Sequence, residues 1–159
     1  NNAHHKRQFT AESALVEEQD IKRAGLKVTQ PRLKILDLLS HSNDRHLSAE
    51  DIYRILLSHG EEIGLATVYR VLTQFEAAGL VNRHHFESGQ AVFELATDEH
   101  HDHMVCMKTG KVIEFCDDII EQRQQELAKQ HNFRITGHSL ILYGEFLDEK
   151  PLMTFAFLA

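Results

Sequence analysis

The fold follows from residues 48–79, which read SAEDIYRILLSHGEEIGLATVYRVLTQFEAAG. Ser48 lies three residues before an aspartate and is typical of a helix start, and Gly60 supplies the stop of that helix. After a short connection, apolar residues recur at helical spacing over about 66–78, and Gly79 ends this second helix. Two helices joined by a short connection predict a helix-turn-helix.

The segments on either side of this motif add two helices and a hairpin. Two runs of strand-forming residues, 80–86 and 91–95, surround a Ser-Gly turn and predict a β-hairpin, or wing. Upstream, Thr10 and Thr29 each precede a helical pattern, and these helices run to about residues 24 and 41. The N-terminal part is therefore predicted to be a winged helix.

The outward face of the second helix of the motif carries side chains suited to DNA. In a winged helix this face enters the major groove. Arg70 offers a guanidinium for phosphate or guanine, Tyr69 offers a ring for thymine methyl groups, and Thr67 lies on the same face. Lys27, on the connector before the second helix of the chain, is placed to reach phosphate or the minor groove. Some winged helices bind only protein, so this pattern alone leaves both partners open.

The C-terminal part is predicted to contain strand, helix and strand. Runs 104–108 and 112–116 flank a glycine turn, a helix covers about 118–130, and a third strand starts near 133–136 and continues over 138–143. We expect a small antiparallel sheet packed on one helix, which makes the chain α+β. A core made from three strands and one helix is only marginally stable by itself. A second copy covering the sheet would stabilise it, which predicts a homodimer.

Between the two parts lies a run of metal-capable side chains, Glu99-His100-His101-Asp102-His103. Side chains of an extended segment alternate between its faces, so His101 and His103 are expected to share one face. His100 and Asp102 would share the other. One short segment could then serve two sites, although a solvated acidic loop is an alternative reading of the run taken alone.

Donors outside this run decide between those readings. Imidazole and carboxylate suit Zn(II), Fe(II), Mn(II) or Ni(II), and a site needs about four to six donors from separate elements. The further candidates are His46, Glu94, Glu114, Glu121 and His138. Each residue taken alone is typical of an ordinary polar side chain in a loop or on the surface, but the set as a whole indicates metal binding.

Charge and composition restrict the class of protein. The net charge of −7 is uneven, because residues 21–95 hold 9 basic and 9 acidic side chains whereas residues 96–159 hold 6 and 11. A nucleic-acid binder usually has a basic footprint, so DNA binding requires either clustered basic residues or a cation that offsets the acidic half. No apolar run approaches the roughly 20 residues that cross a bilayer, which predicts a cytoplasmic protein without membrane association. The two cysteines are too few for a disulfide framework.

Four stretches of the chain resemble the ferric uptake regulator family. They are GLKVTQPR at 25–32, HLSAEDIY at 46–53, ATVYRVL at 66–72, and HHDH at 100–103 followed by Val105-Cys106. The resemblance covers about residues 20–144 and implies a dimeric, metal-activated transcriptional repressor of iron-uptake genes. It implies Fe(II) as corepressor, with Zn(II) or Mn(II) as substitutes. The expected partners are an AT-rich, palindromic double-stranded DNA operator and a second copy of the chain, in a homodimer or higher oligomer.

The resemblance also implies roles for particular residues. An interdomain regulatory metal site is expected to contain His46, Glu94, His101, His103 and Glu114. A second metal site, in the dimerisation domain, is expected to contain His100, Asp102, Glu121 and His138. The implied DNA contacts are Lys27, Tyr69 and Arg70, to which the helix pattern adds Thr67. This division of the histidine run agrees with the alternation of its side chains.

The expected domains are a disordered N-terminus at 1–9, a winged helix at 10–95, a metal-binding hinge at 96–103, a dimerisation domain at 104–144 and an atypical tail at 145–159.

Many relatives hold a structural zinc with two Cys-x-x-Cys pairs. Here Thr109 stands three residues after Cys106, and Phe146 stands where the terminal pair would begin. We therefore expect no cysteine-bound structural zinc.

Two alternative functions would also use a metal site. A zinc-, manganese- or peroxide-responsive regulator of the same family would use the same ligand types, because metal availability rather than ligand identity decides the metal. A metallohydrolase would need an open coordination position and a positioned general base, and the sequence has no His-Glu-x-x-His helix. We therefore expect a regulator and not an enzyme.

Overall fold

The structure is a computed structural model that describes residues 11–87, 89–97 and 99–147, with side chains from Glu17 onward. It divides into two compact units. The first comprises Asn1–His85 and Gln90–Asp98 and is here named the DNA-binding unit after the role that the sequence predicts for it. The second, here the C-terminal unit, comprises Phe86–Gly89 and Glu99–Ala159. The predictions for residues 1–9, for the Thr10 cap and for the tail from residue 148 lie outside the described residues.

Four helices form most of the DNA-binding unit: α1 (Ala11–Arg23), α2 (Gln30–His41), α3 (Ala49–Ser58) and α4 (Leu65–Ala77). Their starts follow the capping signals in the sequence. The Thr29 hydroxyl accepts from the Arg32 backbone N–H, and Ser48 and Asp51 satisfy each other's backbone in a capping box. Gly79 ends the last helix region with φ +77°, a conformation that glycine adopts without strain.

The core of this unit lies between the helices and the wing. Its most deeply buried side chains come from all four helices and both wing strands, and they include Ile21, Ile35, Ile52, Val68, Leu72, Phe75, Val81 and Phe93. Because α4 buries Val68, Leu72 and Phe75 along one stripe, its opposite face is left exposed. The predicted recognition face of α4 is therefore held outward by core packing.

The wing is an antiparallel pair, β1 (Val81–His84) and β2 (Val92–Leu95). In its register Asn82 pairs with Glu94 and His84 with Val92. Residues two apart on a strand share a face, so His84 and Glu94 are diagonal neighbours on one side of the ribbon. A further bridge ties the wing to the chain before α3, because Leu47 and Phe93 exchange two backbone hydrogen bonds of 3.1 and 2.8 Å.

The C-terminal unit contains β3 (Asp102–Cys106), β4 (Val112–Phe115), α5 (Asp118–Gln130) and β5 (Ile141–Gly144). The sheet order is β4-β3-β5. Asp117 caps α5 by accepting from the backbone N–H groups of Ile119 and Ile120. β3 begins earlier than the predicted strand and so includes the last two residues of the histidine run, Asp102 and His103.

The expectation of an entirely antiparallel sheet is wrong for β5, which pairs with β3 in parallel. Because β4 is antiparallel to β3, β4 ends near the start of β3, and a strand that begins at that same end beside β3 runs in the same direction as β3. The expected strand start at 133–136 is also wrong, because the strand begins only at Ile141. The α+β class itself is confirmed.

Within the described residues, no helix is long and apolar enough to span a bilayer.

Candidate metal centres and DNA-binding surface

Two histidines hold one buried carboxylate in the DNA-binding unit. Glu94 Oε2 lies 2.9 Å from His46 Nε2, and Glu94 Oε1 lies 2.5 Å from His84 Nε2. The side chains of His46 and Glu94 are 3% and 4% exposed. The two imidazole rings are 5.9 Å apart between centroids. Two nitrogens and a carboxylate so close together are a donor set that divalent transition metals accept.

Backbone pairing explains how these three side chains meet. Glu94 and His84 are fixed by the β1–β2 register, and His46 is carried to β2 by the adjacent Leu47–Phe93 bridge. The His46 backbone N–H also donates to Asp44 Oδ1 at 3.1 Å. His84 was not among the predicted ligands. The sequence signal for His84 as a ligand is the hairpin register, because His84 is diagonally opposite Glu94 in that register. The register can be derived only when both ends of the hairpin strands are known.

A second set of donors lies in the C-terminal unit. His101 Nε2 is 3.3 Å from Glu114 Oε1, and the His101 and His103 rings are 5.5 Å apart between centroids. His103 is directly opposite Glu114 in the β3–β4 ladder, which explains why the carboxylate is on the same side. Phe86 packs 5.5 Å from the His103 ring and gives that imidazole an apolar neighbour.

A third set in the same unit contains His100, Asp102 and His138. Asp102 Oδ1 is 3.2 Å from Nε2 of both histidines, and the two Nε2 atoms are 2.8 Å apart. Asp102 is only 1% exposed. Three donor atoms therefore converge on one point, with a buried carboxylate between two imidazoles. His100 and Asp102 are thus together on one side of the run, and His101 and His103 on the other, as the alternation predicted.

Glu121, the remaining predicted ligand of that third set, belongs to a different group of metal-capable side chains in the described residues. Its nearest metal-capable partners are Cys116 and Asp118, and the Cys116 thiol is 3.6 Å from Glu121 Oε1. Burial raises the pKa of the Cys116 thiol, and the negative charge of Glu121 raises it further. The structure does not group Glu121 with Asp102 in the described residues, so its role as a fourth ligand stays a prediction.

Cys106 is buried, and both cysteines are free thiols. Hydrogen bonds from the side chain and backbone of Thr109 stabilise the thiolate and lower the pKa of Cys106 to about 7. Thr109 occupies the position where a Cys-x-x-Cys pair would have its second cysteine. A hydrogen-bonding neighbour therefore stands where a second thiolate would otherwise be.

Replacing Thr109 with alanine is expected to raise the pKa of Cys106 from about 7 toward the ordinary value of 9.0, because the thiolate loses its hydroxyl donor. Thiolate absorbance near 240 nm, titrated against pH in a Cys116→Ser background, measures this change. Thr109→Ser retains the hydroxyl and is the matched control. An identical titration midpoint in Thr109→Ala and the parent protein would contradict the assignment.

Three of the four predicted DNA-binding residues, Lys27, Thr67 and Arg70, line a shallow groove on the DNA-binding unit. This groove has a volume of about 420 Å³ and is lined by Lys27, Thr29, Pro31, Arg32, Thr67, Arg70, Val71 and Gln74. Arg70 Nη2 lies 3.3 Å from the Thr67 hydroxyl. Tyr69 is 42% exposed, and its hydroxyl donates to Glu50 Oε1 at 2.5 Å, an interaction that raises the pKa of the phenol. The neutral ring of Tyr69 is therefore presented to solvent in a fixed orientation.

Arg32 links the two sides of the groove. Its Nη1 donates to the Lys27 carbonyl at 2.5 Å, and its Nη2 donates to Gln74 Oε1 at 2.8 Å. The connector that carries Lys27 is thereby fastened to α4. Charge-assisted hydrogen bonds of this kind are stronger than neutral ones.

Replacing Arg32 with alanine is expected to lower the free energy of unfolding by about 1.5–3 kcal/mol, the range for hydrogen bonds to a charged group. Urea denaturation followed by circular dichroism measures the change. Arg54→Ala is the matched control, because Arg54 is exposed and its ion pair with Asp51 is 4.0 Å long. Equal stability losses in the two variants would show that the link is not structural.

Comparison with known proteins gives one consistent result. The sequence profile described as the ferric uptake regulator family matches residues 23–143. The ferric uptake regulation protein of Vibrio anguillarum is 61% identical over 130 residues, covering 82% of this chain and 87% of that protein. The ferric uptake regulation protein of Pseudomonas aeruginosa is 59% identical over 129 residues, covering 81% and 96%.

Solved structures agree with the sequence relatives. The ferric uptake regulator of Vibrio cholerae superposes with a TM-score of 0.75 at 60% identity, covering 81% of this chain and 98% of that chain. The regulator from Pseudomonas aeruginosa with manganese gives 0.70 at 56% identity, covering 83% and 98%. Proteins of this family are metal-dependent, dimeric regulators of transcription that bind DNA, and they are not enzymes. With the family profile spanning most of its length, the chain belongs to the ferric uptake regulator family.

Proposed function

We propose that this protein is an Fe(II)-activated repressor of iron-uptake genes, acting in the cytoplasm as a homodimer on an AT-rich, palindromic operator. The observation that carries the proposal is the buried Glu94 carboxylate, held by His46 within the same unit that presents Arg70. A metal donor set built into the DNA-binding unit gives a metal ion direct influence on that unit. Ligand binding can then change operator affinity by stabilising one arrangement of the protein.

The proposed regulatory site draws on both units. His46 and Glu94 would come from the DNA-binding unit, and His101, His103 and Glu114 from the C-terminal unit. Support comes from each unit taken separately: the His46–Glu94 pair is 2.9 Å apart, and the His101–Glu114 pair is 3.3 Å apart. One divalent cation with three imidazoles and two carboxylates forms a neutral assembly. Metal bound there would fix the spacing of the two recognition helices in the dimer.

The second proposed site belongs to the C-terminal unit alone. His100, Asp102 and His138 would hold a cation, with Glu121 as a fourth ligand. The convergence of three donor atoms within 3.2 Å of one another supports this role. A cation at this position also offsets the excess of acidic over basic residues in 96–159. We expect the protein to need no cysteine-bound structural zinc, because Thr109 replaces one of the required thiols.

The proposed DNA contacts are Lys27, Thr67, Tyr69 and Arg70. Arg70 and Thr67 line the groove, and Tyr69 is held outward by Glu50. The dimer would form through the C-terminal sheet, where Met104, Ile113 and Leu142 are exposed in one row across three strands. Two copies related by a two-fold axis suit a palindromic operator.

The metal and the operator can be tested together. Binding to an AT-rich palindromic duplex, measured anaerobically with Fe(II), Mn(II), Zn(II) or chelator, is expected to be strongest with Fe(II) and weak with chelator. Relatives of known structure are described with manganese, with iron and as zinc-bound. A response confined to Zn(II) or Mn(II), or lost when the Fe(II) form meets peroxide, would favour another regulator of the family. Equal binding with chelator and with every metal would contradict metal activation.

A further inference from the structure

His84 contacts the buried Glu94 carboxylate in the same way as the proposed ligand His46 does. Each histidine approaches a different oxygen of Glu94 through Nε2, at 2.5 Å for His84 and 2.9 Å for His46. All three side chains belong to the DNA-binding unit. We propose that His84 is a metal ligand, and that His46, His84 and Glu94 form a three-donor site able to hold one divalent cation without any donor from the C-terminal unit.

The positions of the three donors are set by rigid backbone. Glu94 and His84 are on the paired wing strands, and His46 is next to the Leu47–Phe93 bridge. Their ligand atoms lie within 4.8 Å of one another. Two ligands that each sit about 2.1 Å from a tetrahedral ion are roughly 3.4 Å apart, so only small side-chain movements are needed to admit an ion. Sites on paired strands are also more precise than sites on loops.

The chemistry of the set favours a borderline divalent metal. Two neutral imidazoles and one carboxylate carry a net charge of −1, and the His46 and Glu94 side chains are almost fully buried. A divalent cation compensates a buried carboxylate more fully than hydrogen bonds from neutral imidazoles do. Three ligands leave further coordination positions for water or for other protein donors.

This inference rests on the proposed function for the roles of His46 and Glu94, and it adds His84 and a capture step. A DNA-binding unit that already carries an ion offers the open positions of that ion to His101 and His103. Metal sensing would then begin in the DNA-binding unit and be completed by the C-terminal unit. The ligand set predicted from the sequence omits His84, so it does not predict that the DNA-binding unit binds the metal first.

Co(II) binding to the full chain tests the proposal, because its visible absorption reports coordination directly. In a His100→Ala/His101→Ala/His103→Ala background, which removes donors of the other two sets, one Co(II) per chain is expected to bind. Adding His84→Ala should weaken that binding at least tenfold. The matched control is His85→Ala, since His85 is the next residue and is exposed. It should leave the affinity unchanged.

A second variant distinguishes the loss of a metal ligand from a folding defect. His84→Gln keeps an amide that can donate to Glu94 but is a much poorer metal ligand, so it should weaken Co(II) binding while the circular dichroism spectrum is retained. Unchanged or tighter Co(II) binding in folded His84→Gln would overturn the proposal, because His84 would then only compete with metal for Glu94. If His46→Ala loses metal-dependent operator binding while His84→Ala does not, the proposed function stands and this inference fails.

Discussion

Replacing His46 with alanine is expected to remove the effect of Mn(II) on operator affinity, a loss of roughly 5- to 150-fold at saturating metal. The variant retains the core and the proposed DNA-contacting face but loses one donor beside the buried Glu94 carboxylate. His101→Ala should give the same loss from the C-terminal unit, because the proposed site needs donors from both. A gel-shift titration with a palindromic duplex at increasing Mn(II) concentration measures it.

Both variants should remain folded and dimeric, as judged by circular dichroism and size-exclusion chromatography. His131→Ala is the matched control, because His131 is an exposed residue at the end of α5 and outside the three donor sets. It should respond to Mn(II) as the parent protein does. Undiminished Mn(II)-dependent binding by both His46→Ala and His101→Ala would contradict the proposed regulatory site.

Replacing Arg70 with alanine is expected to weaken operator binding by about 1–3 kcal/mol without changing metal affinity. Arg70 projects from the exposed face of α4 into the groove that also contains Lys27 and Thr67. Fluorescence anisotropy at several salt concentrations measures the operator affinity. A phosphate contact should lower the salt slope by about one, whereas a guanine contact should relax sequence preference at one position.

Arg54→Ala serves as the control for this variant, because Arg54 is an exposed arginine on the neighbouring helix α3. It should bind the operator with nearly the parent affinity. If Arg70→Ala and Arg54→Ala bind equally well, α4 is not the recognition helix in the sense proposed. If Arg70→Ala loses metal affinity as well, its effect is not confined to DNA contact.

Local signals in the sequence were sufficient for most of the fold. The caps at Thr29, Ser48 and Asp117 are side-chain hydrogen bonds to backbone within three residues, so they can be read without knowing the tertiary structure. The stripe of α4 was predicted in the same way from apolar spacing. Alternation within the histidine run correctly separated His101 from Asp102, because period-two alternation is a property of the extended backbone.

The features that were wrong or missed depend on contacts between distant segments. The direction of β5 is set by which strand it joins after α5, and alternation is the same in parallel and antiparallel strands. The place of His84 beside Glu94 follows from the exact wing register, where a shift of one residue would turn it to the other face.

Anomalous diffraction from crystals of the Mn(II)-loaded protein tests directly whether one ion is shared by donors from the two units. We predict a manganese peak about 2.0–2.3 Å from ligand atoms of both His46 and His101, with Glu94 and His103 in the same coordination sphere. A manganese peak liganded by only one of the units, with the donors of the other left without metal, would contradict it.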